Sequence, residues 1–126
     1  MPSKKNILKT VAHQVLEDEI RSLQNLNANL DERFEAACRM VMECSGRVIF
    51  SGVGHPGHVA TKSAANMSSL AKPAYFLHAG EATHGDLGLV QPDDLVILVS
   101  NSGETAEVLA ILPQIKRLGA KTIAMV

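Results

Sequence analysis

Three short stretches hold most of the side chains that could do chemistry. Ser100-Asn101-Ser102-Gly103-Glu104-Thr105 places three hydroxyls and a glycine directly after the apolar run Leu95 to Val99. Where a strand hands over to a helix, such a segment offers unpaired N–H groups at the positive end of the helix dipole, and phosphate is the anion it suits best. The same residues also fit a plain N-cap, with Ser102 or Thr105 satisfying the first helical turn. Glu107, just beyond, is a candidate carboxylate for proton transfer, and equally a solvated first-turn glutamate. The second stretch, Gly52-Val53-Gly54-His55-Pro56-Gly57, follows the β-prone Val48-Ile49-Phe50. Its glycines reproduce G-x-G-x-x-G, but no acidic residue closes the second strand near Leu77, where His78 stands instead. A tight turn that lets a helix approach the sheet is the plainer reading. The third stretch carries His78 and His84. His-Gly-Asp-Leu-Gly, from His84 to Gly88, is an unusual loop for mere packing, and two histidines without a third convergent ligand are weak evidence for a metal.

These stretches need a scaffold, and the periodicity supplies one. Apolar residues at Leu8, Val11, Val15, Ile20, Leu23, Leu26 and Leu30 approximate one face of an amphipathic helix that needs a partner. Asn29, followed three residues later by Glu32, predicts the cap of a second helix, which carries Phe34, Ala37, Cys38, Val41 and Cys44 and stops at Gly46. A short strand at Val48 to Phe50 then enters the glycine-rich loop Ser51 to Gly57. A helix follows from about His58 to Leu70, ended by Lys72-Pro73, and Ala74 to Leu77 is the next strand. Leu95 to Val99 has the unbroken apolarity of a central parallel strand. A helix bearing Val108, Ile111, Leu112, Ile115 and Leu118 tolerates Pro113 as a kink and closes at Gly119. Lys121 to Val126 makes a last strand. Strands alternating with helices predict a mostly parallel α/β sheet, and ligands of such sheets sit beyond the strand carboxyl ends. The chemistry-bearing loops lie there. We expect a helical segment over 1–45 and an α/β domain over 46–126, cut short on its C-terminal side because the chain stops inside a strand.

Composition narrows the partners. With 126 residues, 46% of them hydrophobic and 3% aromatic, the chain has an aliphatic core about the size of one domain. A formal charge of −1 gives no field for coating a polyanion, so nucleic acid is not expected. Cys38 and Cys44 point to different sides of a helix and do not pair. No apolar run approaches the length of a membrane span and no leader precedes the first helix, so a cytoplasmic protein without a membrane partner is expected. His13 and His58 fit structural or solvated positions.

Ser51-Gly52-Val53-Gly54, the segment His78 to Gly88 and the segment Ser100 to Glu107 together resemble the sugar isomerase (SIS) domain family, most closely its arabinose-5-phosphate isomerases, in register from about Cys38 to Val126. The resemblance implies a three-layer, flavodoxin-like parallel sheet flanked by helices and preceded by N-terminal helices. It implies a sugar phosphate held at Ser100, Asn101, Ser102 and Thr105, with Ser51, Gly52, Gly54, His78 and the turn Ala71-Lys72 also in contact with substrate. His84, Glu107 and His55 are the implied catalytic side chains of an aldose–ketose exchange that moves a proton through an enediol, serving lipopolysaccharide or capsule precursors. No cofactor is needed for that chemistry, although zinc at His78 is implied as non-catalytic or inhibitory binding. A homo-oligomer is implied as well. His55 departs from the pattern, since similar isomerases carry a Lys there with a fixed charge. The resemblance implies further acid–base residues, and in many of the isomerases a pair of regulatory repeats, in segments that would lie beyond Val126. A non-catalytic regulatory domain that senses a sugar phosphate fits the same loops, and a purely structural dimerisation domain leaves Ser100 to Thr105 without a purpose.

Overall fold

In the computed structural model the described residues run from Lys4 to Val126. They divide into two compact units, one ending at Ala36 and one spanning Ala37 to Val126. The first is helical. Helix α1 (Lys4–Ala28) exposes Leu8, Val11, Val15, Ile20, Leu23 and Leu26, the apolar stripe read from the sequence. Helix α2 (Glu32–Glu43) begins in this unit and ends in the next. Its cap is Asp31 and not the expected Asn29. Asp31 Oδ1 accepts from Arg33 N at 3.0 Å and Phe34 N at 3.4 Å, and a carboxylate there also suits the helix dipole. Asn29 is used in closing α1, donating from Nδ2 to Asn25 O at 2.7 Å.

The second unit is built on four parallel strands, β1 (Val48–Gly52), β2 (Ala74–His78), β3 (Leu95–Val99) and β4 (Lys121–Met125), in the spatial order β2-β1-β3-β4. Alternation along the central strands sorts the core into two layers. Val48, Phe50, Leu95 and Ile97 pack with Ala60 and Ala64 of α3 (Gly54–Ser69), with Met40 and Val41 of α2 and Cys44 just after it alongside. Ile49, Val96 and Leu98 face the other way, onto Val108, Ile111 and Ile115 of α5 (Ala106–Leu118) and onto Ala79 and Ala82 of the short α4 (Ala79–Ala82). Both faces of the sheet are thus covered, as the unbroken apolarity of Leu95 to Val99 required.

Three local features differ from expectation. Helix α3 starts at Gly54, so the glycine-rich segment is a strand end, a one-residue link at Val53 and a helical first turn. Pro56 is accommodated because first-turn residues have no intrahelical N–H bond to lose. Gly46 is not a helix stop, since α2 ends at Glu43. It permits close packing: a Cβ there would lie 2.6 Å from Asp93 O and 2.7 Å from Asp94 Oδ1. The link between β2 and β3 contains α4 and a 3-10 helix, Asp86–Leu89, neither of which the periodicity reveals. Helix α5 runs unbroken through Pro113 to Gly119, which takes the left-handed conformation at φ 86°.

At the amino ends of the strands lies a second polar cluster that is invisible in the sequence. Asp94, only 3% exposed, accepts from Arg47 N at 2.8 Å, from Arg47 Nη2 at 2.7 Å and from Gln91 N at 2.8 Å. Burial alone would raise the Asp94 carboxyl, but the Arg47 guanidinium and the two backbone N–H groups outweigh it and hold it below the ordinary aspartate value. A folded value below the unfolded one means stability that is present above about pH 3.9 and is lost as pH falls through the folded value. Asp94→Asn should cost about 2–3 kcal/mol in urea unfolding at neutral pH, less than a fully enclosed pair, because Arg47 retains solvent contact. The deficit should shrink at strongly acidic pH, where the wild-type carboxyl is also neutral; a deficit independent of pH would contradict the ion-pair account.

Candidate functional site

The carboxyl ends of β1, β2 and β3 form one edge, because Gly52 pairs in register with His78 and Ser51 with Leu98. Gly52 is the tightest point of that edge. An added Cβ would meet Val99 O at 2.9 Å and Gly57 N at 3.2 Å, closer than packed atoms tolerate, so only glycine lets the first turn of α3 reach the sheet. Gly52 and Gly57 are thereby accounted for by close packing, as the plainer reading held. Gly54, at φ 63°, turns the chain into the helix and has open space around it. His55 follows on the first turn and His58 at the start of the second, both exposed, with ring centroids 6.2 Å apart. Ser51 is fully buried, and its Oγ has no hydrogen-bond partner.

Beyond β3 the hydroxyls organise the loop internally. Ser100 Oγ lies 2.8 Å from Thr105 Oγ1 and accepts from Gly103 N at 3.0 Å. Ser102 Oγ accepts from Glu104 N at 3.1 Å. Gly103 takes φ 71° to make this turn. Thr105 is the N-cap residue of α5, yet its side chain makes no capping bond, and Ser102 is committed within the loop. Neither residue acts as the plain N-cap that the sequence allowed. The start of α5 therefore keeps its amides and its dipole uncapped by a side chain, behind a loop whose shape the hydroxyls fix. Asn101 and Glu107 are exposed beside it.

The third stretch starts at His78, whose Nδ1 accepts from Gly80 N at 3.1 Å. A neutral imidazole accepting at Nδ1 carries its proton on Nε2, and so presents a donor to its surroundings. Such a histidine does not fit zinc without breaking this bond. Among the described residues no three His, Cys, Asp or Glu side chains converge as metal ligands. His84 lies between α4 and the 3-10 helix, exposed, with its N–H bonded to Glu81 O at 2.9 Å. Both short elements pack on α5, which puts His84 and Glu107 on neighbouring elements. Ala71-Lys72 is elsewhere. That turn precedes β2 and so lies at the amino edge of the sheet, where Lys72 Nζ donates to Cys44 O and Ala71 adopts φ 62°. One copy of the chain does not bring this turn to the other three stretches.

A parallel sheet covered by helices on both faces, with a hydroxyl-rich loop at an open helix start, defines an α/β domain whose carboxyl edge can take an anion. The SIS domain family matches residues 41–126, and the chain belongs to that family. It is 43% identical over 119 residues to the arabinose 5-phosphate isomerase KpsF of Escherichia coli, covering 94% of this chain and 36% of that protein. It is 43% identical over 112 residues to the arabinose 5-phosphate isomerase KdsD of Yersinia pestis, covering 89% of this chain and 34% of that protein. The chain thus spans about a third of the length of these curated relatives. Among solved structures, the E. coli CFT073 protein c3406 in complex with arabinose 5-phosphate superposes with a TM-score of 0.89 at 38% identity, over 98% of this chain and 65% of that one. The sugar isomerase domain of an RpiR transcription factor from Sphaerobacter thermophilus superposes with a TM-score of 0.75 at 30% identity, over 90% of this chain and 64% of that one.

The loop geometry separates two serines that sequence alone treats alike. Ser102 is exposed and accepts one local N–H, so Ser102→Ala should cost about tenfold in affinity for a phosphate-bearing ligand, the worth of one hydrogen bond. Ser100 is 4% exposed and holds the turn together, so Ser100→Ala should weaken binding further and lower the melting temperature, which Ser102→Ala should leave alone. Calorimetry and thermal melts of the two variants check this. Unchanged affinity in both would sink the assignment of an anion site to this loop.

Proposed function

We propose that the whole protein interconverts D-arabinose 5-phosphate and D-ribulose 5-phosphate in the cytoplasm, supplying lipopolysaccharide or capsule precursors. The observation that carries this is the meeting of three sequence-distant stretches at one strand edge, with an uncapped helix start among them. Ser100, Asn101, Ser102 and Thr105 with the first amides of α5 hold the phosphate, and Gly52 and Gly54 give it room. Ser51 lies beneath as a buried hydroxyl. His78, donating from Nε2, and His84 orient sugar hydroxyls. Glu107 and His84 exchange the protons: a base takes one from the hydroxyl-bearing carbon beside the carbonyl, the enediolate forms, and that proton is returned to the former carbonyl carbon, while the proton of the neighbouring hydroxyl passes to the former carbonyl oxygen and leaves the new carbonyl behind. His55 adds positive charge near the anion when protonated.

A second reading has specific support. The RpiR relative shares the fold at 30% identity, and a regulatory domain that binds a sugar phosphate without turnover needs the same cradle. Proton exchange at the carbon beside the carbonyl, followed by NMR in deuterated water with the full-length protein, separates the two. Exchange should fall about a hundredfold or more in His84→Ala and in Glu107→Gln if these groups move the proton. Tight binding without exchange in the wild type would favour the sensor. His55→Lys places a fixed cation at this position and should tighten sugar-phosphate binding, which calorimetry on the full-length protein checks.

Assembly belongs to the same reading. We infer a homo-oligomer in which the exposed apolar stripe of α1 is buried between subunits. The distance of Ala71-Lys72 from the other three stretches supports it, because that turn can serve a site only in another copy. Light scattering on the full-length protein should give a mass above one chain at micromolar concentration, and a monodisperse monomer would overturn the assembly.

A further inference from the structure

We propose that Arg47, clamped by Asp94, is a positioning residue for His84, acting through the chain segment that carries it; this rests on the reading above in which His84 faces the substrate. The segment from Ala79 to Asp94 leaves the site edge after His78 and ends at the opposite edge, where β3 begins. Its internal bonds are local. Thr83 Oγ1 donates to Gly80 O at 2.7 Å, His84 N to Glu81 O at 2.9 Å, Gly88 N to Gly85 O at 3.0 Å and Val90 N to Leu87 O at 3.1 Å. Each spans three residues, so together they give the segment its shape without fixing where it sits. Gly85, next to His84, has φ 128° and open space around it, which leaves the backbone there little resistance to turning.

Location comes from the ends. Upstream, Ala79 and Ala82 are buried against α5, and His78 Nδ1 holds Gly80 N. Downstream of His84, Leu87 and Val90 are buried in the same layer, and Arg47 Nη2 donates to Leu89 O at 2.6 Å across 42 positions of sequence. The guanidinium is itself immobilised on three sides. Nε and Nη2 reach Asp94 Oδ1 at 3.2 Å and Oδ2 at 2.7 Å, and Arg47 Cζ lies 5.3 Å from the centre of the Tyr75 ring. Asp94 in turn receives Gln91 N, so both residues flanking Val90 are tied to one ion pair. Only a planar fork can span two carboxylate oxygens and keep a further N–H on Leu89 O. An ammonium is a point donor and loses that simultaneous geometry while keeping its charge. Apolar burial sets the depth of the segment; the fork sets its position along the sheet, and with it the place of His84 relative to Glu107 on α5.

Arg47→Lys in the full-length protein is therefore the selective variant. Amide hydrogen exchange at Gly88 and Val90 should accelerate about tenfold, while Ile49 and Ile97 in the central strands stay near wild type, as local opening allows. The His84 imidazole resonances should shift at the same time. With arabinose 5-phosphate, kcat should fall more than KM rises, because a displaced His84 leaves the phosphate loop intact. Tyr75→Leu, which removes the stacking face and leaves both hydrogen-bonding partners, should move the same resonances in the same direction by less, and it decides the matter should Arg47→Lys not fold. Exchange that accelerates equally in the strands, or His84 resonances that do not move, overturns the positioning role and leaves Arg47 a general stabiliser. Absence of turnover in the wild type would defeat the isomerase reading alone, since exchange and resonance shifts are read without substrate.

Discussion

Between β1 and the start of α3 there is no room for a side chain. A Cβ on Gly52 would sit 2.9 Å from Val99 O, and one on Gly57 would sit 3.2 Å from Gly52 O. That contact joins the carboxyl end of β1 to that of β3 and to the first turn of α3 at a single point. Everything proposed to touch a ligand radiates from there: His55 sits on the turn so placed, His78 pairs in register with Gly52, and Ser100 continues from Val99. A bulkier residue would separate the strand ends and the helix start, and the three stretches would no longer share an edge. The dependence runs from sterics to function, since the absence of side chains at Gly52 and Gly57 is what permits these groups to approach one another.

A second economy lies in how the polar atoms near this point are used. Hydroxyls in a ligand loop can either wait for the ligand or build the loop. Here Ser100 and Thr105 bond each other, and Ser100 also accepts from Gly103 N, which leaves the first amides of α5 for an anion without asking the loop to reorganise. Preorganised donors of this kind cost little at the moment of binding. His78 follows the same logic, because its bond to Gly80 N selects the tautomer that donates outward. The same commitment works against metal binding at that residue, for a zinc ion would need a lone pair that the imidazole either uses internally or has capped with a proton.

The layer structure is legible in the sequence wherever burial dictates residue type. Leu95 to Val99 can be apolar throughout only in a strand covered on both faces, and Val108, Ile111 and Ile115 can recur only on a helix packed against it. The three stretches are legible because Gly, Ser and His cluster where strands end. What stays hidden follows from interactions that join distant residues. Arg47 and Asp94 are ordinary surface residue types 47 positions apart, and nothing in their local spacing marks a pair; an Asp-Asp turn before the most apolar strand is the only trace. The short α4 and 3-10 helices escape because four residues set no period. Asp31 takes the cap from Asn29 because α1 already claims Asn29, a competition that a one-dimensional pattern does not register. The start of α3 escapes for a different reason: Gly and Pro signal a break in regular structure, yet the first turn of a helix is the one place that tolerates both.

The relatives that share this fold include isomerases and a transcription-factor domain, which sharpens what the architecture itself can explain. A helix start beyond a strand end, shaped by hydroxyls, binds phosphate by backbone amides that any sequence supplies. It therefore serves an enzyme and a sensor equally. Proton transfer is different, because it needs side chains of suitable basicity at chosen atoms, and those cannot come from the backbone. In this chain His55, His84 and Glu107 are all exposed at the site edge, so their positions depend on the segments that carry them more than on packing of their own. His55 sits on a turn fixed by Gly52, and Glu107 on a helix fixed by the core. His84 has the least support of the three, being flanked by Gly85 and held from a distance. Divergence between catalysis and sensing within this fold can thus act on few residues, and under the positioning role proposed for Arg47 the segment between β2 and β3 is the place for it, since a change at the far edge of the sheet would move a histidine and leave the loop after β3 as it is.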